Sequence, residues 1–120
     1  EAAAKVVGAG TGNRYFIDGV QQKTLVVKAG QTYKFSYPSA HPFKFSTTAN
    51  GTHAGGNEYT SGVTVGTNEI TIAMPNSSSI TTLYYYCSAH SGMGGTIIIE
   101  GQTASSGGGG GLGGGGGSGY

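Results

Sequence analysis

Thr82-Leu-Tyr-Tyr-Tyr-Cys87-Ser-Ala-His90-Ser-Gly-Met93-Gly-Gly95-Thr96-Ile-Ile-Ile-Glu100 reads as two β-runs joined by a short loop. The loop crowds a thiol, an imidazole and a thioether into seven residues, Cys87 to Met93. Cys87 is the only cysteine in 120 residues, so it has no partner for an internal disulfide. Thiolate, imidazole and thioether together make a soft ligand set that suits copper, in which a Cys and two His form a trigonal plane and a Met lies at a longer axial position. Such a plane needs a second histidine from elsewhere in the chain. His41, in Ser39-Ala-His41-Pro42-Phe43, is the best candidate.

Outward from this segment the chain continues as short runs rich in β-branched and aromatic residues, broken at Gly, Pro and Asn. These runs are Arg14-Tyr-Phe-Ile-Asp18, Thr24-Leu-Val-Val27, Gln31-Thr-Tyr-Lys-Phe-Ser-Tyr37, Pro42-Phe-Lys-Phe45 and Glu69-Ile-Thr-Ile-Ala73. With the two runs around the loop they make seven strands and no helical period, which predicts an all-β sandwich or barrel over residues 14–101. Alternation along Thr82 to Cys87 points Leu83, Tyr85 and Cys87 inward and Tyr84 and Tyr86 outward. Residues 46–66 are polar and Gly-rich, and read as a long loop or a weak excursion strand.

The two ends differ in composition from this body. Residues 1–13 read as a lead segment; Glu1-Ala-Ala-Ala-Lys5 favours helix but is too short to hold one alone, and equals one unit of a common spacer. The start at Glu1 rather than Met reads as a processed product or an excised part. Gly8-Ala-Gly10-Thr-Gly12 is not a phosphate-binding loop, because its third glycine is misplaced and no helical pattern follows. Residues 102–120 form a Gly-rich tail or linker: eleven of the thirteen residues from 107 to 119 are glycine, and Leu112 is the sole apolar side chain among them. Ordering such a run costs about 1–2 kcal/mol per residue, so the tail is expected to stay outside the domain core.

Composition removes several classes of function. Charged residues are 9% of the chain and the net charge is +1, leaving no basic stripe for nucleic acid. No apolar run approaches the roughly 20 residues of a membrane span. No acid–base or nucleophile–base pair stands out, so the chain is not read as an enzyme. His53, between Gly51 and Gly55-Gly56, reads as a solvent-exposed loop residue.

Two segments resemble the cupredoxins of the plastocyanin and amicyanin type. Val27-Lys-Ala29-Gly30-Gln-Thr32-Tyr-Lys-Phe35 followed by His41 is similar to the front half of that family, and Tyr84 to Ile99 to its C-terminal hairpin. The two-residue gaps on either side of His90 match the short ligand loop of amicyanin. The resemblance implies an eight-stranded Greek-key β-sandwich with one type 1 copper for one-electron transfer. His41, Cys87 and His90 would be the equatorial ligands and Met93 the axial one. It also implies a redox partner protein, an extracytoplasmic setting, and a Tyr86 exposed beside a docking surface. One departure is Pro42, where the family places an Asn whose N–H bonds the cysteine sulfur; proline has no N–H. His-Pro-Phe is similar to the type 1 histidine segment of multicopper oxidases, but the histidine pairs of their trinuclear cluster are missing, as is the second Cys of a binuclear copper site. A looser likeness, through Phe45-Ser-Thr-Thr-Ala-Asn-Gly-Thr-His53 and the glycine tail, is to modules of phage and bacterial surface proteins. It implies an alternative: a structural bead of a virion or extracellular fibre, with neighbouring subunits as partners and the tail mediating assembly.

Overall fold

The computed structural model describes residues 5–10 and 12–102. The expectations for residues 1–4 and 103–120 lie outside them. Ten strands follow one another: β1 Lys5–Gly10, β2 Arg14–Ile17, β3 Val20–Gln21, β4 Leu25–Lys28, β5 Thr32–Ser36, β6 Phe43–Ser46, β7 Val63–Gly66, β8 Glu69–Ala73, β9 Thr82–Cys87 and β10 Gly95–Glu100. A single 3-10 turn, Gly51–Ala54, interrupts them. The strands form a six-stranded sheet in the order β3-β2-β1-β5-β8-β7 and a four-stranded sheet in the order β4-β10-β9-β6. Both sheets are mixed: β1 runs parallel to β5 and β4 parallel to β10, while the other pairings are antiparallel. The chain passes repeatedly from one sheet to the other, as the expected sandwich requires.

Alternation builds the core. In β10, Ile97 and Ile99 are buried while Ile98 and Glu100 face out; in β4, Leu25 and Val27 are buried while Val26 and Lys28 face out. Each aliphatic side chain so buried contributes about 1.5–3 kcal/mol. Aromatic rings fill the end of the core nearest Cys87. Phe43 stacks on Tyr85 at 5.1 Å between centroids and meets Tyr15 edge-on at 5.2 Å. Ser46, a fully buried polar residue, is satisfied: its hydroxyl donates to the carbonyl of Asn57 at 2.7 Å and accepts the N–H of Thr48 at 3.0 Å.

Three features differ from the expectations. Ten strands form among the described residues where the resemblance implies eight, since Lys5–Gly10 and the two-residue Val20–Gln21 join the larger sheet. Residues 5–10, read as part of a lead segment, form a strand inside the larger sheet, with Val7 buried and the register Val7↔Ile17 against β2. Three of the six residues Lys5-Val-Val-Gly-Ala-Gly10 are Gly or Ala, whose missing or single-methyl side chains display little of a two-residue period. Tyr86, expected to be exposed, is only 1% accessible. The polar stretch after β6 folds back over it. A Cβ on Gly51 would lie 2.5 Å from the Tyr86 ring, so the left-handed glycine at φ 54° lets the backbone rest directly on the aromatic face. His53 closes the ring edge-on at 6.2 Å.

Candidate metal centre

Strand register brings the distant histidine to the cysteine. β6 pairs with β9 so that Phe43 lies opposite Cys87. Pro42 then offers its carbonyl to the N–H of Ser88 at 3.1 Å, which needs no donor from the proline. His41, one residue further, projects beyond the end of β9 beside the loop. Its own N–H bonds the carbonyl of Pro38 at 2.9 Å, closing a tight turn that aims the side chain.

The Cys87 sulfur lies 3.8 Å from His41 Nδ1 and 3.6 Å from His90 Nδ1, and the ligand atoms of all three residues fall within 4.8 Å of one another. Both imidazoles present the same nitrogen to the sulfur. A metal with bonds of about 2.0 Å to nitrogen and about 2.3 Å to sulfur, at angles of about 120°, separates N from S by about 3.7 Å. The observed distances bracket that value. One thiolate and two imidazoles, with Cys87 fully buried and both histidines partly open, form a group that suits copper. Met93 is fully buried in the same apolar cluster as Cys87.

A ring of hydrogen bonds surrounds this group. The Tyr15 hydroxyl donates to the His41 carbonyl at 2.6 Å, and the Tyr15 N–H donates to the Met93 carbonyl at 3.0 Å. Burial, then the neighbouring Cys87, pushes the Tyr15 phenol well above its ordinary value. The Gln22 amide donates to the carbonyls of Gly92 at 3.1 Å and Gly94 at 2.7 Å. Asn50 accepts the Gly92 N–H at 2.9 Å and donates to Ser91 Oγ at 2.8 Å. His53 Nε2 lies 2.7 Å from the Cys87 carbonyl, which can only accept, so this nitrogen carries the proton.

The structure thus brings together His41, Cys87 and His90, and buries Met93. His53 is exposed, as expected, yet one edge of its ring is engaged. Sequence reasoning missed Tyr15, Gln22 and Asn50 as neighbours of the group. The Asn50-Gly51 pair carries a turn signal; nothing in the sequence points Tyr15 or Gln22 at residues 41 or 92–94. Around the two histidines Ser39, Ala40, Ser88, Ala89 and Ser91 are exposed and none bears a charge.

No protein family's sequence model matches the chain, and no curated protein matches it. Solved structures do. Rusticyanin from Thiobacillus ferrooxidans shares 16% identity over 82% of this chain and 77% of its own, with a TM-score of 0.54. Reduced rusticyanin gives 15% identity over 82% and 79%, with a TM-score of 0.52. Amicyanin from Paracoccus versutus gives 20% identity over 83% and 84%, with a TM-score of 0.48. Rusticyanin is described as a copper protein. This chain has the cupredoxin fold.

Proposed function

We propose that this cupredoxin-fold chain holds one copper ion and passes single electrons to and from a partner protein. The observation that carries the reading is the convergence of two imidazole Nδ1 atoms on one Sγ, at 3.8 and 3.6 Å. His41, Cys87 and His90, with Met93, would hold the ion. Copper would supply a one-electron couple, and the packed, hydrogen-bonded surroundings hold the donors still, so little reorganisation accompanies the change of charge. His90 and His41, the partly open ligands, form the route to the partner. The rim residues Ser39, Ala40, Ser88, Ala89 and Ser91 are uncharged and the Arg14 guanidinium lies beside Gly92, so a partner's docking face should be largely neutral with an acidic group placed to meet Arg14. The setting is extracytoplasmic, and the chain acts as a carrier rather than an enzyme. No described residue favours the fibre reading, whose tail lies outside them.

Adding Cu(II) to the purified chain tests the proposal. One equivalent should bind and produce an intense blue thiolate-to-copper absorption, which Cys87→Ser abolishes while leaving the sandwich folded by circular dichroism. A colourless copper-loaded chain, or a Ser variant with the same spectrum, overturns it.

A further inference from the structure

We propose that Asn50 and His53, on the turn that follows β6, are positioning residues that hold the segment from Cys87 to Gly92 in ligating geometry, a role that rests on the metal reading above. Between the buried Cys87 and Met93 the loop has few anchors of its own. Ser88, Ala89 and Ser91 are exposed, and Gly92 has no side chain, so the loop buries little apolar area. Its position depends on hydrogen bonds made to it from outside.

The turn is built to make them. Gly51 rests on the buried Tyr86 ring, and Tyr86 precedes Cys87 on β9, so the turn is anchored to the strand that carries the thiol. Asn50 sits at φ 65°, a left-handed conformation that asparagine tolerates better than most residues. From there its amide grips both residues that follow His90: Gly92 through its N–H and Ser91 through its hydroxyl. Three residues on, His53 donates to the carbonyl of Cys87. One short segment, more than thirty positions upstream, therefore fixes the loop before and after His90 without touching a donor atom.

The test uses the full chain with Asn50→Gly, Asn50→Asp and His53→Phe. Glycine keeps the left-handed backbone and loses both bonds; aspartate keeps an acceptor for Gly92 and for the Ser91 hydroxyl; phenylalanine keeps the ring against Tyr86 and loses the donor. In the metal-free protein the Gly92 amide should exchange with solvent about tenfold faster in Asn50→Gly, and at the wild-type rate in Asn50→Asp. With copper bound, Asn50→Gly should lose the ion to a chelator about tenfold faster, and both it and His53→Phe should shift the blue absorption and the reduction potential. Asn50→Asp should restore the slow chelator rate. An unchanged Gly92 exchange in Asn50→Gly, or an aspartate variant that folds but exchanges as fast as the glycine one, overturns the clamp. A blue wild type whose spectrum none of the three substitutions moves overturns its positioning role. A wild type that takes no copper overturns the metal reading instead, and Gly92 exchange still decides whether the clamp exists.

Discussion

The hydroxyl of Tyr15 donates to the backbone carbonyl of His41 across 26 positions of sequence, at 2.6 Å. With its N–H on Met93, this one residue of β2 ties together the two segments that carry the outermost candidate ligands. Tyr15→Phe keeps the ring packed against Phe43 and leaves the His41 carbonyl without this donor. It should cost about 1–2 kcal/mol of stability in chemical denaturation and should also move the blue absorption of the copper-loaded chain. A purely packing role for Tyr15 would leave both unchanged.

Burial raises three phenols, Tyr15, Tyr85 and Tyr86, and the two most strongly raised, Tyr15 and Tyr85, bear most on the alkaline limit. Burial raises Tyr15 and Tyr85 above the ordinary value of 10.0. In the unfolded chain both lose their protons above pH 10, while in the folded one they keep them, so the unfolded state binds fewer protons and stability falls as pH rises. Full stability should hold below pH 10 and then decline by about 1.4 kcal/mol per pH unit for each phenol. Denaturation midpoints measured from pH 8 to 12 check this. Tyr85→Phe should flatten the slope, although it also leaves the Lys23 carbonyl without the donor it has at 2.7 Å.

Met93→Leu separates packing from ligation. The side chain is fully buried, and a swap of similar volume should cost less than about 1.5 kcal/mol. If the thioether is an axial ligand, the reduction potential of the copper-loaded chain should nevertheless shift, since the axial atom tunes it. An unmoved potential would remove Met93 from the ligand set.

Gly94 is held by backbone rather than by side chains. A Cβ there would run into the carbonyl of Tyr85, one strand away. Gly94→Ala should destabilise the domain by about 3 kcal/mol and disturb the loop at its exit into β10, readable as a lowered midpoint and a weakened blue band.

A chain ending at Gln102 should keep the thermal stability and the copper absorption of the full one. The described core is complete without the glycine-rich residues, and Leu112 offers too little apolar surface to offset their ordering. A truncated chain that unfolds would contradict this.

Where side chains announce themselves, the sequence was readable to the residue. Glu69–Ala73 and Thr82–Cys87 are alternating or aromatic runs bounded by breakers, and both are strands over those bounds. That Cys87, His90 and His41 lie together was legible because a thiol and an imidazole in one short loop call for a second histidine, and His41 is the best candidate. β1 was not, since its glycines and alanine bury backbone between neighbours that only the tertiary fold supplies. Residues 46–66 read as a long loop or a weak excursion strand, and Val63–Gly66 is a strand because β8 pairs with it. Tyr86 was assigned to the wrong environment for a related reason. Alternation does point it away from the core shared by the sheets, and it is absent from that apolar cluster, but alternation cannot show that a turn more than thirty residues upstream will lie across it. The partnership of Asn50 with Ser91 and Gly92 is likewise long-range, at separations of 41 and 42 residues.

The burial of Tyr86 beneath Gly51 also bears on kinetics. With that side covered, the partly open imidazoles of His41 and His90 are the accessible edges of the candidate centre among the described residues. On the proposed electron-transfer reading, a donor and an acceptor that both use this face would visit in turn. Turnover between two such partners should follow a ping-pong pattern, and an excess of either one, in the redox state that cannot react, should inhibit the other competitively.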